Sequence, residues 1–146
     1  MAQLNQLDYA GDLSPQETWT RLQNDPHAVL IDVRTPEEWA YVGIVDTTLI
    51  QRDAAYVPWL FYPRMDLNPN FIPHVLDAAK PADKDTPLLL ICRSGQRSAY
   101  GAHALTRHGY RHCYNVASGF EGDLDGNKHR GAKNGWKADG LPWIQG

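Results

Sequence analysis

The sequence is poor in most of the features that would assign it to a function class at once. Cysteine is scarce: Cys92 and Cys113 are the two present in 146 residues. Their spacing builds no disulfide framework and no metal motif, and it suits a reducing compartment. No apolar run approaches the ~18 residues of a membrane-spanning helix. There is no basic excess, since the formal net charge is -3, whereas a phosphate-reading surface usually needs a positive one. Residues 1–12 hold no basic region followed by an apolar core, so no secretory leader is expected. Internal repeats and low-complexity tracts are missing as well. Together these gaps argue against nucleic acid and membrane as partners and make the cytoplasm the expected location. The six histidines are dispersed. His108 and His112 stand at helical spacing, but Gly109 is expected to end the helix between them, so no metal site is expected.

What is present is ordinary globular composition, 42% hydrophobic and 21% charged, in a chain long enough to bury one sizeable core. One domain over residues 1–146 is expected. Its core would run from about 7 to 124, and residues 125–146 would form an irregular C-terminal wrap pinned by Trp136 and Trp143. Ser14-Pro15-Gln16-Glu17 and Thr35-Pro36-Glu37-Glu38 both read as helix starts, each with a capping hydroxyl, a proline at the first helical position and a glutamate at the third. Between them, Ala28 to Val33 reads as a buried strand with Asp32 near its carboxyl end. An edge strand is expected near 7–10, another strand over 44–50, a helix over 71–80 and a strand over 111–116. A helical turn is expected from Ser118 to Asp123. The stretch 51–70, with Tyr56, Trp59, Phe61, Tyr62 and Met65 broken by prolines, reads as an irregular segment packed on the core or walling a substrate mouth. Strands alternating with helices imply a mainly parallel sheet covered on both faces, with its site beyond the carboxyl ends of the strands.

The most informative stretch starts with Leu88-Leu89-Leu90-Ile91, four apolar residues in a row. Cys92 follows at once, then Arg93, Ser94, Gly95, Gln96 and Arg97, and a helix is expected from Ser98 to His108. Only the thiolate of a cysteine is a useful nucleophile. A helix N-terminus and inward-facing N–H groups stabilise it without a histidine base. The amides of Arg93 to Ser98 are placed to ring the sulfur, and Gly95 permits the curvature. Arg93 and Arg97 add positive charge where an anionic substrate would arrive.

Cys92-Arg93-Ser94-Gly95-Gln96-Arg97-Ser98 resembles the active-site loop of the rhodanese family, the thiosulfate and related sulfurtransferases. Ile31-Asp32-Val33-Arg34-Thr35-Pro36-Glu37-Glu38-Trp39 is similar to the family's Asp-Val-Arg turn before an acidic helix, and Asn115-Val116 with Gly119-Phe120 to its closing strand and glycine turn. The resemblance runs over about 7–124, and the tail is similar to that of small bacterial single-domain members. It implies an α/β three-layer sandwich with a central five-stranded, mainly parallel sheet and helices on both faces. It also implies that Cys92 takes a sulfane sulfur from an anionic donor such as thiosulfate, becomes a persulfide and passes the sulfur to cyanide or a thiol. The implied substrate-binding residues are Arg93, Ser94, Gly95, Gln96, Arg97 and Ser98. Asp32 and Arg34 would give structural support, with Arg34 paired to Glu37 or Glu38. No cofactor is implied beyond the covalent persulfide, and a protein can serve as donor or acceptor. The sequence departs from the pattern at Gly43-Ile44-Val45, where the family usually has Gly-His-Ile, and at Ser118-Gly119, where it usually has two glycines.

Two other functions use related features. Cysteine phosphatases and arsenate reductases use a similar loop with one more residue between Cys and Arg, so the ring here is tighter, and a general acid would have to come from Asp53 or Asp66. A non-catalytic binding or sulfur-relay module is the other alternative, with 56–65 as its docking surface. Cys113 is expected to be a buried small hydrophobe rather than a resolving thiol.

Overall fold

A computed structural model describes residues 6–145. The central sheet has five parallel strands in the order β1-β8-β7-β2-β4. They are β1 (Gly11–Leu13), β2 (Val29–Asp32), β4 (Ala55–Tyr56), β7 (Leu88–Ile91) and β8 (Cys113–Val116). Helices α1 (Pro15–Asn24), α2 (Pro36–Val42), α3 (Phe71–Ala79) and α4 (Gln96–Arg107) connect them. Alternation along β7 shows how the sheet is covered on both faces. Leu88 and Leu90 pack with Val75 of α3 and Ala102 and Leu105 of α4. Leu89 and Ile91 point the other way, to Trp19 and Leu22 of α1 and to Phe120 and Trp136. A strand apolar at every position is therefore shared between two cores.

Both helix starts are built as expected. The Ser14 hydroxyl accepts from the Glu17 N–H at 3.0 Å while the Glu17 carboxylate accepts from the Ser14 N–H at 2.9 Å. Thr35 and Glu38 repeat the exchange at 3.3 and 3.2 Å. Such boxes satisfy donors that the first helical turn leaves unpaired.

Four local expectations are corrected. The edge strand is Gly11–Leu13, not 7–10, because its register on β8 pairs Gly11 with Tyr114 and Leu13 with Val116. The strand expected over 44–50 shortens to β3 (Ile44–Val45). There the Asp46 carboxylate accepts from the Thr48 N–H at 3.0 Å and a 3-10 turn follows over Thr48–Ile50, so a local Asx turn overrides the β propensity of the threonines. The stretch 51–70 holds β4, too short to show alternation, and a hairpin of β5 (Leu60–Phe61) and β6 (Asp66–Leu67). After β8 the chain turns instead of entering a helix, because Ser118 and Gly119 both take left-handed backbone conformations (φ 66° and 63°).

The tail is part of the core. Trp136 is fully buried, meets Trp19 edge-on at 5.8 Å, and donates its ring N–H to the Pro142 carbonyl at 2.7 Å. Trp143 differs from the expectation of a second buried anchor. It lies half-exposed on β9 (Trp143–Ile144), which pairs antiparallel with β3. Trp136→Ala is expected to lower stability by about 3–5 kcal/mol, the cost of emptying a large aromatic site. A urea midpoint shift reads it, and an unchanged midpoint would mean that the tail is not part of the cooperative unit.

Candidate active site

β2 and β7 are neighbours in parallel register, with Asp32 beside Ile91. Asp32 and Cys92 therefore leave the sheet at the same edge. Cys92 continues the face of Leu88 and Leu90 and is 1% exposed. Gly95, at φ +104°, turns the chain back over it, and α4 starts directly at Gln96. Three donors meet at the sulfur: the Gly95 N–H at 3.1 Å, the Ser98 N–H at 3.4 Å and the Ser98 hydroxyl at 3.1 Å. The helix dipole adds positive potential from behind.

The Ser98 hydroxyl also lies 2.6 Å from the Asn115 side-chain carbonyl. It carries one proton, so it can donate to Asn115 or to the sulfur, not to both at once. Asn115 in turn donates to Asp12 at 3.1 Å, and Asp12 accepts from the Tyr9 hydroxyl at 2.8 Å. Burial and the Asp12 carboxylate push the Tyr9 hydroxyl up to about 12, which keeps it a donor.

Arg34 is corrected in its partner. It is fully buried and pairs with Asp32, at 2.7 Å from Nη2, with Gly43 O as a second acceptor at 2.9 Å, and not with Glu37 or Glu38. Its guanidinium lies over the Phe120 ring at 4.4 Å. The turn carrying Phe120 grips the loop by its backbone: Phe120 N–H donates to Cys92 O at 2.8 Å, and the Glu121 and Gly122 N–H groups donate to Arg93 O at 3.0 and 3.1 Å. Gly119 fits there for want of a Cβ, which would stand 2.5 Å from the Cys92 carbonyl oxygen.

The two loop arginines differ. Arg97 is committed to Glu38 through two hydrogen bonds, at 2.7 and 2.8 Å. Burial works against the charged form of Glu38. The Arg97 bonds and charge, with those from Thr35, outweigh it and hold the carboxyl below its ordinary value. Arg93 is exposed, and among the described residues its side chain has no hydrogen-bond or ion-pair partner. Ser94 is half-buried and Gln96 exposed.

Above the loop lies a cavity of about 370 Å³, walled by Trp59, Met65, Leu67 and Tyr100 on one side and by Arg93, Gln96 and Arg97 on the other. Trp59 stacks on Tyr100 at 6.5 Å and meets Phe71 edge-on at 4.9 Å. The aromatic stretch thus packs on the core through Trp59 and leaves Phe61, Tyr62 and Met65 half-exposed. Asp53 and Asp66 do not line this cavity. Cys113 is fully buried, and burial pushes its thiol up to about 11.

Sequence reasoning named Glu38 as a helix cap and Arg34 partner and Asn115 as part of the closing strand, but gave neither of them, nor Asp12, a place at the sulfur. Glu38 carried a capping signal, but its charge partner lies 59 residues away. Asn115 did leave a trace, as a polar side chain inside a buried strand.

A family model described as the rhodanese-like domain matches residues 14–124. The crystal structure of Rv0390 from M. tuberculosis is 43% identical and covers 95% of this chain and 100% of its own, with a TM-score of 0.87. An uncharacterized protein of Rickettsia prowazekii is 36% identical over 117 residues, 80% of this chain and 83% of its own. The thiosulfate sulfurtransferase GlpE of Tolumonas auensis is 30% identical over 97 residues, 66% of this chain and 73% of its own.

Glu38→Gln keeps the capping box and removes the charge that holds Arg97. It is expected to cost about 1–3 kcal/mol at neutral pH. Because the folded carboxyl is depressed, that contribution is full above the ordinary carboxylate range and is lost as pH falls through the folded value. Urea midpoints of the two proteins should therefore differ at pH 7 and draw together as pH falls below the ordinary carboxylate range. Brief alkylation of the native protein at neutral pH is expected to label Cys92 and spare Cys113, as peptide mapping would show. Rapid labelling of Cys113 would contradict its burial.

Proposed function

This chain belongs to the rhodanese-like family, whose relatives include sulfurtransferases, and on that premise we propose that it moves a sulfane sulfur through a persulfide on Cys92. The observation that carries the reading is the convergence of the Gly95 and Ser98 N–H groups on a single sulfur at a strand-to-helix turn, with the Ser98 hydroxyl within reach when it is not donating to Asn115. These donors stabilise negative charge on sulfur in the thiolate and again in the persulfide, with no histidine base.

In the first step the Cys92 thiolate attacks the outer sulfur of an anionic donor such as thiosulfate. A sulfur–sulfur bond forms as the donor's own sulfur–sulfur bond breaks, and sulfite leaves with the electron pair. In the second step cyanide or a thiolate attacks the outer sulfur of the persulfide, and Cys92 departs as the thiolate. Electrons balance without any cofactor. Arg93, whose side chain has no hydrogen-bond or ion-pair partner among the described residues, is the group that receives the donor's oxygens. Arg97, with both terminal nitrogens spent on Glu38, supplies positive charge beside the sulfur rather than a second clamp. Gln96 lines the cavity above the loop, and Ser94 is half-buried beside it in the chain. Asp32 and Arg34 act from beneath, holding Phe120 and through it the Cys92 carbonyl. The cytoplasm is the proposed location, and a protein thiol can take the place of a small acceptor.

Phosphoryl or arsenate chemistry fits less well. A tetrahedral oxyanion needs the loop arginine free to reach its oxygens and an acid for the leaving group, whereas Arg97 is held by Glu38 and neither Asp53 nor Asp66 lines the cavity.

Incubation with thiosulfate followed by intact mass measurement tests the proposal. A gain of one sulfur atom that Cys92→Ala abolishes is the expected result. No gain with thiosulfate or with polysulfide, alongside Cys92-dependent hydrolysis of an aryl phosphate, would replace sulfur transfer with the phosphatase reading.

A further inference from the structure

Beside the loop, on the side of Arg93 away from Trp59, lies a second and larger cavity of about 600 Å³. Arg93 lines both cavities and is the residue at which they meet. Lys128, His129 and Arg130 form the far wall. These three lie beyond residue 124, where the match to the family model ends. The groove thus takes Glu38, Val42, Tyr62, Arg93, Glu121 and Leu124 from the matched segment and Lys128, His129 and Arg130 from the tail that follows it.

The charge count here runs against that of the whole chain, which is -3. Arg93, Lys128 and Arg130 bring three positive charges to the wall. Of the two carboxylates that line it, Glu38 is neutralised by Arg97. Glu121 is left, and it is shared with Lys137, whose charged form it favours. A net positive groove remains beside a reactive sulfur.

The turn that carries these cations is preorganised. The Asp125 carboxylate accepts from the Asn127 and His129 N–H groups at 2.8 and 2.9 Å, and the Asp125 N–H donates to His129 O at 2.8 Å. That carboxylate is thereby turned into its own loop. Arg130 donates to Gly122 O at 2.7 Å, and the Gly122 N–H donates to Arg93 O at 3.1 Å. Groove and catalytic loop are thus joined through Gly122. The Lys128 N–H donates to Asp125 O at 3.0 Å, while its side chain is exposed and makes no hydrogen bond or ion pair among the described residues.

A groove of this size exceeds what thiosulfate fills and suits a small organic ligand. We propose that it binds the carboxylates of an anionic, low-molecular-weight thiol, and that this thiol is the sulfur acceptor. The inference rests on the persulfide reading of Cys92. The acceptor's carboxylates lie against Lys128 and Arg130 while its thiolate reaches past Arg93 to the outer sulfur. The new sulfur–sulfur bond forms as the one to Cys92 breaks, so that Cys92 leaves as the thiolate and the acceptor leaves as a persulfide.

Two measurements test this. The first compares mercaptosuccinate, with two carboxylates, against neutral 2-mercaptoethanol as acceptors for the thiosulfate-loaded protein. Mercaptosuccinate is expected to show a KM lower by about five- to tenfold, the scale of one or two half-exposed charge contacts. Lys128→Glu is expected to erase that advantage without altering the 2-mercaptoethanol rate, and Lys128→Arg to keep it. The second needs no sulfur transfer. Succinate, which has the carboxylates and no thiol, is expected to slow alkylation of Cys92 in the wild-type protein and not in Lys128→Glu. Equal KM values for the two thiols, with no protection by succinate, would overturn the proposal and leave the groove to a larger partner. Protection by succinate without persulfide loading would sustain the anion site and overturn the acceptor role, because the failure would then lie in the sulfur-transfer reading.

Discussion

A thiolate at the end of a strand buried on both faces would need its charge met chiefly by the protein, since Cys92 is 1% exposed. That requirement organises this molecule. The Gly95 and Ser98 donors meet the sulfur directly. They stay in place because the loop carrying them is gripped through its own carbonyls by the turn at Phe120. That turn is held in its own right, by Arg34 beneath the Phe120 ring and by the tail, whose Trp136 N–H donates to Gly119 O at 2.8 Å. The buried Arg34–Asp32 pair is best understood within this chain of support. A buried ion pair contributes little net stability on its own. Here it holds an aromatic ring whose backbone N–H fixes the carbonyl of the nucleophile.

The division of labour between Arg93 and Arg97 follows from the same constraint. A guanidinium close to a sulfur is itself half-buried and needs an anion of its own, and Glu38 supplies it. This leaves Arg97 as fixed charge, while Arg93, one residue past the cysteine and exposed, is the arginine whose side chain is uncommitted among the described residues. An arginine counted from the sequence is a cation. Whether it is available to a substrate depends on what already binds it.

Much of this was legible in the residues, for identifiable reasons. Ser14 and Thr35 announced their helices because capping is local chemistry, complete within four positions. Leu88 to Ile91 announced a doubly covered strand because it has no polar face. The placement of Cys92 beside Asp32 followed from parallel topology. What escaped was short or distant. β4 and β9 have two residues each, too few for alternation to register. The Thr47-Thr48 pair favoured a strand until a side chain three atoms long capped a turn instead. The Glu38–Arg97 and Arg34–Asp32 pairings could not be ranked from spacing, because Asp32, Glu37 and Glu38 all lie within four residues of Arg34, whereas burial selected the partner. Asn115 was visible as an anomaly, but its contact to Ser98 lies across strand and helix and only the fold brings the two together.

The contribution of Trp136 to the core has a consequence for the order of events during synthesis. A ribosome reaches Trp136 only after all five strands of the central sheet and the cysteine loop have emerged. Until then one face of the sheet lacks its largest side chain, and Gly119 O lacks the N–H that steadies the turn beneath the nucleophile. The nascent chain therefore carries its thiol before it carries the support that positions it, and the site matures from the carboxyl-terminal side. The loop around Cys92 therefore gains its last support from the segment that is synthesised last.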